Sequence, residues 1–272
     1  VGELEYASDP PCFFPTTFYE VVVKAVRQET WNSKVISFHL PDSDTLTLPV
    51  SSAILMNAPG QGKGGTDVAK PYNPISSNNV IGYFDLLVKT YPGGAVSGFA
   101  ANLQVGDKVA FKQMKPQIKK WQYPFGKKSI TMVAGGTGIA PMFQALHPLL
   151  TTPGDTTKIH LIYSNRSPQD IMLKVELDAM AVSWPNRFRL TYVVGDSADD
   201  KSAAKDGWTG EMGWIDEEKI RRLAFPPEEG TVVWVCGVDD MYKSLAGSRA
   251  AALKPGSILH NLGYTEDMVW RS

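Results

Sequence analysis

The hydrophobic pattern of this chain changes near residue 129, and that change is the feature that most limits its possible folds. Before it, short β-branched runs recur between turn residues, as in small antiparallel barrels. These runs cover residues 18–23, 34–38, 52–56, 84–89 and 108–111. After it, strands alternate with helical patterns, which predicts a parallel sheet covered by helices on both faces. We therefore expect two domains, an antiparallel β-barrel over residues 1–126 and an α/β domain over residues 127–272.

In the second half, buried-type strands are predicted over residues 129–134, 159–163, 188–194 and 232–236. Pro141 stands where the first turn of a helix would begin. Ser167, Pro168 and Asp170 predict a capped helix that starts there and continues to Met180. Further helices are expected from residue 215 and over residues 241–253.

Composition and charge exclude several functional classes. A formal net charge of -1 over 272 residues gives no reason to expect nucleic acid as a partner. Cys12 and Cys236 are the only cysteines, far apart in sequence, and the four histidines lack ligand spacing, so neither a disulfide framework nor a metal site is expected. No stretch reaches the roughly 18 apolar residues that a membrane helix needs. We expect membrane attachment only through a segment outside this sequence.

The strongest local motif is the glycine loop of residues 135–141, Gly-Gly-Thr-Gly-Ile-Ala-Pro, which joins a predicted strand to a predicted helix. Glycines at such a point let the backbone approach a pyrophosphate, and the helix start offers free N–H groups. A tight turn without a ligand is the alternative. Cys236-Gly237 ends a later strand, where the cysteine is either a small core residue or a neighbour that leaves room for a nicotinamide ring.

A second motif in the first half places a cation, an aromatic ring and small polar groups close together, at Lys70, Tyr72, Asn73 and Ser76. A flavin dinucleotide needs positive charge for its pyrophosphate, a neighbouring aromatic side chain and hydrogen-bonding groups for its ring. A proline-stiffened edge strand is the other interpretation. The run of residues 93–97, Gly-Gly-Ala-Val-Ser, suits a second phosphate cradle or a plain turn before a short helix.

In this order and at these separations, the motifs resemble those of the ferredoxin-reductase-like flavoenzymes, and most closely the NADH–cytochrome b5 reductases or the flavin fragment of nitrate reductase. The resemblance implies FAD and NADH as cofactors, with Tyr72, Asn73, Thr137 and Cys236 nearest the reacting rings. For FAD it implies contacts from Lys70, Pro71, Tyr72, Asn73, Ser76, Leu87, Lys89, Tyr91, Gly94, Ala95, Val96, Ser97 and Thr137. For NADH it implies contacts from Gly136, Gly138, Pro141, Cys236, Gly237 and Met241.

Some positions depart from the family pattern. Lys70 replaces an arginine, so a bidentate grip on phosphate becomes a point-charge contact. Asn73 replaces a hydroxyl residue, and its amide is expected to tune the flavin differently. Ala95 replaces a lysine, and Val238-Asp239-Asp240 replaces a proline-rich run. Trp270 lies near the end in place of a terminal phenylalanine, where it either covers the site or packs the last strand.

The resemblance implies hydride transfer from C4 of NADH to N5 of FAD, followed by single-electron steps to cytochrome b5 or a similar acidic haem protein. The lysines between Lys108 and Lys128 form either a docking patch, with the partner held near Lys112–Lys128, or a solvated linker. These are Lys108, Lys112, Lys115, Lys119, Lys120, Lys127 and Lys128.

The sequence leaves two other functions open. One is a related reductase that serves a ferredoxin, a nitrate-reducing partner or a nonhaem oxygenase, and another is a flavin-binding module without turnover. Arg166 could accept the 2′-phosphate of NADPH, which Asp196 would repel. The expected location is the cytoplasmic face of the endoplasmic reticulum or the mitochondrial outer membrane if an anchor was removed, and the cytosol otherwise.

Overall fold

The computed structural model describes residues 12–114, 121–195 and 207–272. The chain forms two units, the first running to Phe125 and including Phe143–Pro148, the second containing Gly126–Met142 and the residues from Leu149 onward. Within these residues, each unit has one six-stranded sheet.

The first unit is an antiparallel barrel with the strand order β4-β3-β6-β1-β2-β5. Its elements are β1 (Tyr19–Thr30), β2 (Ser33–His39), β3 (Ile54–Ala58), β4 (Val68–Tyr72), β5 (Tyr83–Lys89), α1 (Ala95–Ala101) and β6 (Lys108–Gln113). An antiparallel bridge between Pro74 and Leu86 joins the segment after β4 to β5, the strand at the other end of this order, and so closes the barrel. Closure removes the exposed sheet edges that an open antiparallel sheet would leave.

Aromatic side chains fill the interior of the barrel. The rings of Phe38 and Phe84 stack with centroids 5.2 Å apart, and Phe111 meets Phe38 edge-on at 4.9 Å. Phe14 packs against Phe84 at 5.5 Å, and all four side chains are fully buried. Each comes from an inward-facing position of a strand or from the segment before β1, so the period-2 pattern of the sequence supplies the core.

The second unit is a parallel sheet with the order β10-β9-β8-β7-β11-β12. Its strands are β7 (Ser129–Gly135), β8 (Lys158–Asn165), β9 (Phe188–Val194), β10 (Glu211–Met212), β11 (Thr231–Cys236) and β12 (Val269–Arg271). Its helices are α2 (Ile139–Thr151), α3 (Lys174–Ser183), α4 (Glu217–Leu223), α5 (Asp239–Leu245) and α6 (Ile258–Asn261). The predicted fold class, a barrel followed by an α/β domain, is confirmed.

The helix predicted to start at residue 168 begins later. Residues Pro168–Asp170 form one 3-10 turn, and the α-helix starts only at Lys174, after Leu173 with φ 57°. The Ser167 hydroxyl donates to the Asp170 carboxylate at 2.9 Å instead of capping a backbone N–H. Burial of the side chains at 171–173 holds this segment against the unit and interrupts the helix.

The helix predicted over residues 241–253 is also shorter than expected. It spans Asp239–Leu245 and ends before Gly247, whose φ is 105°. Two backbone N–H groups, those of Ala246 and Gly247, bond back to the carbonyl of Tyr242 and close the last turn. A glycine in this conformation commonly ends a helix, but our prediction followed the apolar pattern of the sequence beyond it.

Among residues 12–114, 121–195 and 207–272, no helix has the length and apolar character needed to cross a bilayer.

Candidate active site

The glycine loop lies at the carboxyl end of β7, the strand at which the order of the parallel sheet changes direction. Strands β8, β9 and β10 follow on one side of β7, whereas β11 and β12 lie on the other. Open α/β sheets bind ligands in the crevice outside such a switch point. Residues Gly136–Gly138 form a 3-10 turn, and α2 begins at Ile139.

The loop packs backbone to backbone against the Cys236-Gly237 turn at the end of β11. A Cβ atom on Gly138 would lie 2.0 Å from the Cys236 carbonyl oxygen, and one on Gly237 would lie 3.3 Å from the Gly135 Cα. The Met241 side chain covers both glycines, since its Sδ would be 2.7 Å from a Cβ on Gly237 and 3.3 Å from one on Gly135. The structure therefore brings together two motifs that are far apart in sequence, along with Met241.

The exposed part of the loop keeps open space where a ligand would approach. Gly136 has φ 53°, and no atom of the described residues lies within 4 Å of a Cβ built on it. Thr137 is partly exposed, whereas Gly138 and Pro141 are buried at the start of α2. The Tyr163 hydroxyl donates to the Gly136 carbonyl at 3.1 Å and so ties the loop to β8. Tyr163 belongs to no motif in the sequence, although a tyrosine within a buried strand needs a partner for its hydroxyl.

Asn165, at the carboxyl end of β8, is a second residue of this edge that belongs to no sequence motif. Its side chain is buried, with 7% of its surface exposed. Neither the amide nitrogen nor the amide oxygen has a hydrogen-bond partner within the described parts of the chain. An amide buried without partners costs free energy, so native proteins rarely keep one unless something else satisfies it. A ribose hydroxyl or a phosphate oxygen of a nucleotide bound at this sheet edge would do so.

The residues predicted for the flavin gather around the end of β4, the end of β5 and helix α1. Lys70 and Pro71 are exposed, whereas Tyr72 is partly buried and packs against the barrel core. Burial, followed by the neighbouring Tyr91, raises the pKa of Tyr72 to about 12. Tyr72 and Tyr91 are therefore close enough to interact, and Tyr91 is 49% exposed. A large aromatic side chain with one exposed face suits a planar ring system.

Asn73 and Ser76 already have partners in the barrel. The Asn73 amide nitrogen donates to the carbonyls of Ser51 and Ser52, each at 3.0 Å, so both of its hydrogens are used. Asn73 in this arrangement offers a ligand its amide oxygen, an acceptor, rather than an N–H donor. The Ser76 hydroxyl accepts from the Asp85 N–H at 3.1 Å and retains its own hydrogen for donation.

The remaining flavin candidates surround α1. Leu87 is buried on the face of β5 opposite to Leu86 and Val88, which belong to the barrel core, and Lys89 is partly exposed at the strand end. Helix α1 begins with Ala95, Val96 and Ser97 after the N-cap Gly94. The Ser97 hydroxyl bonds the Tyr91 N–H and the Gly94 carbonyl, both at 3.4 Å, which ties the turn to the end of β5. The first-turn N–H groups of a helix have no intrahelical partners and favour anions.

The lysines of the proposed docking patch are only partly described. Lys115, Lys119 and Lys120 lie outside the described residues, as does Asp196. Lys112 lies 4.5 Å from the centroid of the Phe18 ring, and Lys108 makes a 3.7 Å ion pair with Glu20. Both partners of that pair are more than 60% exposed, so the pair contributes little to stability.

The two residue sets fit the groups that the sequence motifs imply. Around β4, β5 and α1 the barrel combines a cation, two neighbouring tyrosines and a helix start, which suit an aromatic ring joined to phosphates. At the switch point, the open glycine turn and the unsatisfied Asn165 amide suit a dinucleotide. Among the described residues, no group of three or more His, Cys, Asp or Glu could hold a metal ion.

Comparison with known proteins agrees with this division. An oxidoreductase FAD-binding domain model matches residues 20–119, and an oxidoreductase NAD-binding domain model matches residues 132–246. NADH-cytochrome b5 reductase 2 of Saccharomyces cerevisiae (strain YJM789) is 34% identical over 257 residues, which cover 93% of this chain and 82% of that protein. An NADH-cytochrome b5 reductase-like protein of Arabidopsis thaliana is 35% identical over 264 residues, covering 94% and 77%.

The solved structures include the cytochrome b5 reductase domain of Ulva prolifera nitrate reductase, which superposes with a TM-score of 0.82 at 29% identity and covers 97% of this chain and 100% of that one. The resemblance seen in the motifs is thus confirmed over nearly the whole sequence. The chain belongs to the NADH–cytochrome b5 reductase family of FAD- and NAD-binding oxidoreductases.

Proposed function

We propose that this protein is an NADH–cytochrome b5 reductase that uses FAD. The observation that carries the proposal is the close packing of the glycine loop on the Cys236-Gly237 turn, on the two sides of the sheet's switch point. This packing leaves no room for a side chain at residue 138 and builds one continuous backbone surface for a dinucleotide. When both are bound, the two cofactors would supply the redox chemistry, a hydride from NADH to FAD and single electrons from FAD to the acceptor.

In this proposal the residues of the chain bind and orient the cofactors, because the cofactors themselves carry the redox chemistry. Gly136 and Gly138 hold the NADH pyrophosphate against the start of α2, and Thr137 lies close to the flavin. Lys70 neutralises a phosphate of FAD, and Tyr72 packs beside its ring. These roles follow from the family motif and from the positions of the residues, and each can be tested by substitution.

The experiment that tests the function uses purified protein reconstituted with FAD. We expect a yellow protein whose flavin absorbance bleaches on anaerobic addition of NADH and recovers when oxidised cytochrome b5 is added. Bleaching without recovery would indicate another acceptor, and ferredoxin and a nitrate-reducing haem domain are the acceptors to exchange first. A protein that binds FAD but does not bleach with NADH would instead be a flavin-binding module without turnover.

The docking site for the acceptor is the second part of the proposal. We infer that lysines between Lys108 and Lys128 attract the acidic haem protein, because a patch of one sign raises the association rate with a partner of the opposite sign. The segment from residue 108 to residue 128 contains no aspartate or glutamate, so all of its charged side chains are positive.

The membrane location remains a prediction, which fractionation of the source cells would test.

A further inference from the structure

We propose that Tyr242 is a positioning residue that orients the Cys236 side chain through the main-chain oxygen of Ser272. The inference rests on the proposed function, in which Cys236 lies beside the bound nicotinamide. It adds two residues, Tyr242 and Ser272, that neither the motifs nor the family comparison brings to the site.

Two side chains donate hydrogen bonds to the same acceptor. The Tyr242 hydroxyl donates to the main-chain oxygen of Ser272, and the Cys236 thiol donates to that oxygen at an Sγ–O distance of 3.8 Å. Tyr242 lies in α5, six positions after Cys236, and is 2% exposed. A shared acceptor couples the two donors, because any shift of this oxygen moves the preferred direction of both hydrogens.

Ser272 itself is fixed at several points. Its N–H donates to the Val235 carbonyl at 3.1 Å, and its hydroxyl accepts from the Trp234 indole N–H at 2.5 Å. Trp234 is fully buried, and its ring meets that of Trp270 edge-on at a centroid distance of 6.2 Å. The oxygen that Tyr242 and Cys236 share is therefore held by the end of β11 and does not move freely.

The backbone of Cys236 is fixed on its other side by the glycine loop. Because the Cys236 carbonyl packs on Gly138, the remaining freedom of the residue is rotation of its thiol. Ser272 and Tyr242 restrict that rotation, so the sulfur keeps one orientation at the carboxyl edge of the sheet. The nicotinamide ring must approach the flavin closely to transfer a hydride, and a neighbouring side chain with a fixed position would help to hold the ring there.

The Tyr242 hydroxyl is suited to a constant structural task. Burial raises its pKa well above the usual value for tyrosine, and the adjacent Cys236 raises it further. Tyr242 therefore stays protonated, and able to donate, at any pH at which the enzyme would work.

The test compares Tyr242→Phe with Tyr264→Phe in the FAD-loaded protein. Tyr264 is the matched control, since it is 4% exposed and its hydroxyl also donates to a backbone carbonyl, that of Phe225. Both variants lose one buried hydroxyl and should lower the Tm by roughly 2–4 °C. Only Tyr242→Phe should change the environment of Cys236.

The first readout is the rate of iodoacetamide alkylation, resolved by mass spectrometry into the Cys236 and Cys12 peptides. We expect Tyr242→Phe to raise the Cys236 rate about threefold or more while Cys12 stays unchanged. The second readout is anaerobic flavin bleaching, in which the rate constant should fall about 3- to 10-fold with little change in the NADH concentration at half-saturation. Equal behaviour of Tyr242→Phe and Tyr264→Phe in both readouts would overturn the proposal.

If Tyr242→Phe does not fold, Ser272→Pro decides. This variant removes the N–H that holds residue 272 on the Val235 carbonyl, so the shared oxygen should shift and Cys236 alkylation should rise in the same direction. Unchanged alkylation in Ser272→Pro would then overturn the proposal. Alkylation needs no NADH turnover, so a failure of the proposed function, seen as no bleaching in the unmodified protein, is distinguishable from a failure of the positioning role.

Discussion

Gly138 and the carbonyl oxygen of Cys236 are in contact across the sheet's switch point, so closely that a methyl group on residue 138 would lie 2.0 Å from that oxygen. The added methyl group would meet a backbone atom, which cannot rotate away as the end of a flexible side chain can. The glycine is therefore required for packing as well as for approach of a nucleotide, and the two requirements can be separated by experiment.

We predict that Gly138→Ala destabilises the protein by about 3 kcal/mol and strongly weakens NADH binding, because β11 and the loop must move apart to admit the methyl group. Thermal unfolding and titration with NAD⁺ measure the two effects. Gly98→Ala is the matched control, since a Cβ at that position of α1 meets no described atom within 4 Å beyond its chain neighbours and the backbone of its own helix. It should stabilise the protein by about 0.5–1 kcal/mol. A Gly138→Ala protein as stable as Gly98→Ala would contradict the packing argument.

Asn165→Leu is predicted to raise the free energy of unfolding by about 1 kcal/mol in the absence of nucleotide, because it removes an amide that lacks partners among the described residues. It should also weaken NAD⁺ binding about tenfold, which corresponds to roughly 1.4 kcal/mol. The control is Asn78→Leu, since the Asn78 amide donates to the Leu48 carbonyl at 2.5 Å and its loss should destabilise the protein without affecting NAD⁺. Higher stability of Asn165→Leu with unchanged affinity would show that the nucleotide does not use this amide.

The fold was predictable from sequence because its two periodicities are strong. The inward-facing phenylalanines of the barrel and the buried runs of β7, β8, β9 and β11 follow directly from residue order, and the structure confirms the fold class. Helix ends were less predictable. At Ser167 a good capping pattern forms only a 3-10 turn, since burial of residues 171–173 outweighs the local signal.

The candidate site was predictable only where a motif is continuous in sequence. The glycine loop and the Cys236-Gly237 turn each have a local signal, but their mutual contact depends on the strand order. Tyr163, Asn165 and Ser272 have no local signal of function, because their partners are set by tertiary packing. Asn73 illustrates the same limit, since its amide hydrogens are used by Ser51 and Ser52, some twenty residues earlier in the chain.

His160 is predicted to make the stability of the protein depend on pH. It is 3% exposed, and its ring nitrogens contact the Leu223 carbonyl at 2.7 Å and the Thr191 hydroxyl at 2.9 Å. Burial, followed by the charge of Arg189, lowers the pKa of His160 to about 4. The unfolded chain binds this proton near pH 6.5, so it takes up more protons than the folded protein between pH 6.5 and pH 4.

Neutral His160 therefore makes its full contribution to the free energy of unfolding above pH 6.5. This contribution, on the order of 3 kcal/mol, is lost as the pH falls toward 4. His160→Gln should flatten the fall of Tm over this range, whereas His39→Gln, at an exposed position, should leave it unchanged. Parallel Tm profiles for His160→Gln and the unmodified protein would show that His160 does not cause the dependence.

Lys70→Arg is predicted to tighten FAD binding about three- to tenfold, because a guanidinium can bind a phosphate through two parallel hydrogen bonds and an ammonium cannot. The dissociation constant follows from the fluorescence of FAD released on dilution. Lys63→Arg, in an exposed 3-10 turn, is the control and should leave it unchanged. An unchanged dissociation constant in Lys70→Arg would place the FAD phosphates elsewhere.

Reversing charge in the lysine-rich segment is predicted to slow reduction of cytochrome b5 and to spare reduction of ferricyanide. We expect the double variant Lys119→Glu, Lys120→Glu to lower the second-order rate constant with cytochrome b5 about tenfold or more at low salt, because electrostatic attraction raises the association rate of oppositely charged partners. The difference should shrink at high salt, where a shorter Debye length screens the patch. Lys63→Glu controls for the change in net charge alone, and ferricyanide, a small acceptor, controls for damage to the flavin site. Equal rates with cytochrome b5 for the double variant and for Lys63→Glu would remove the docking site from this segment while leaving the reductase activity in place.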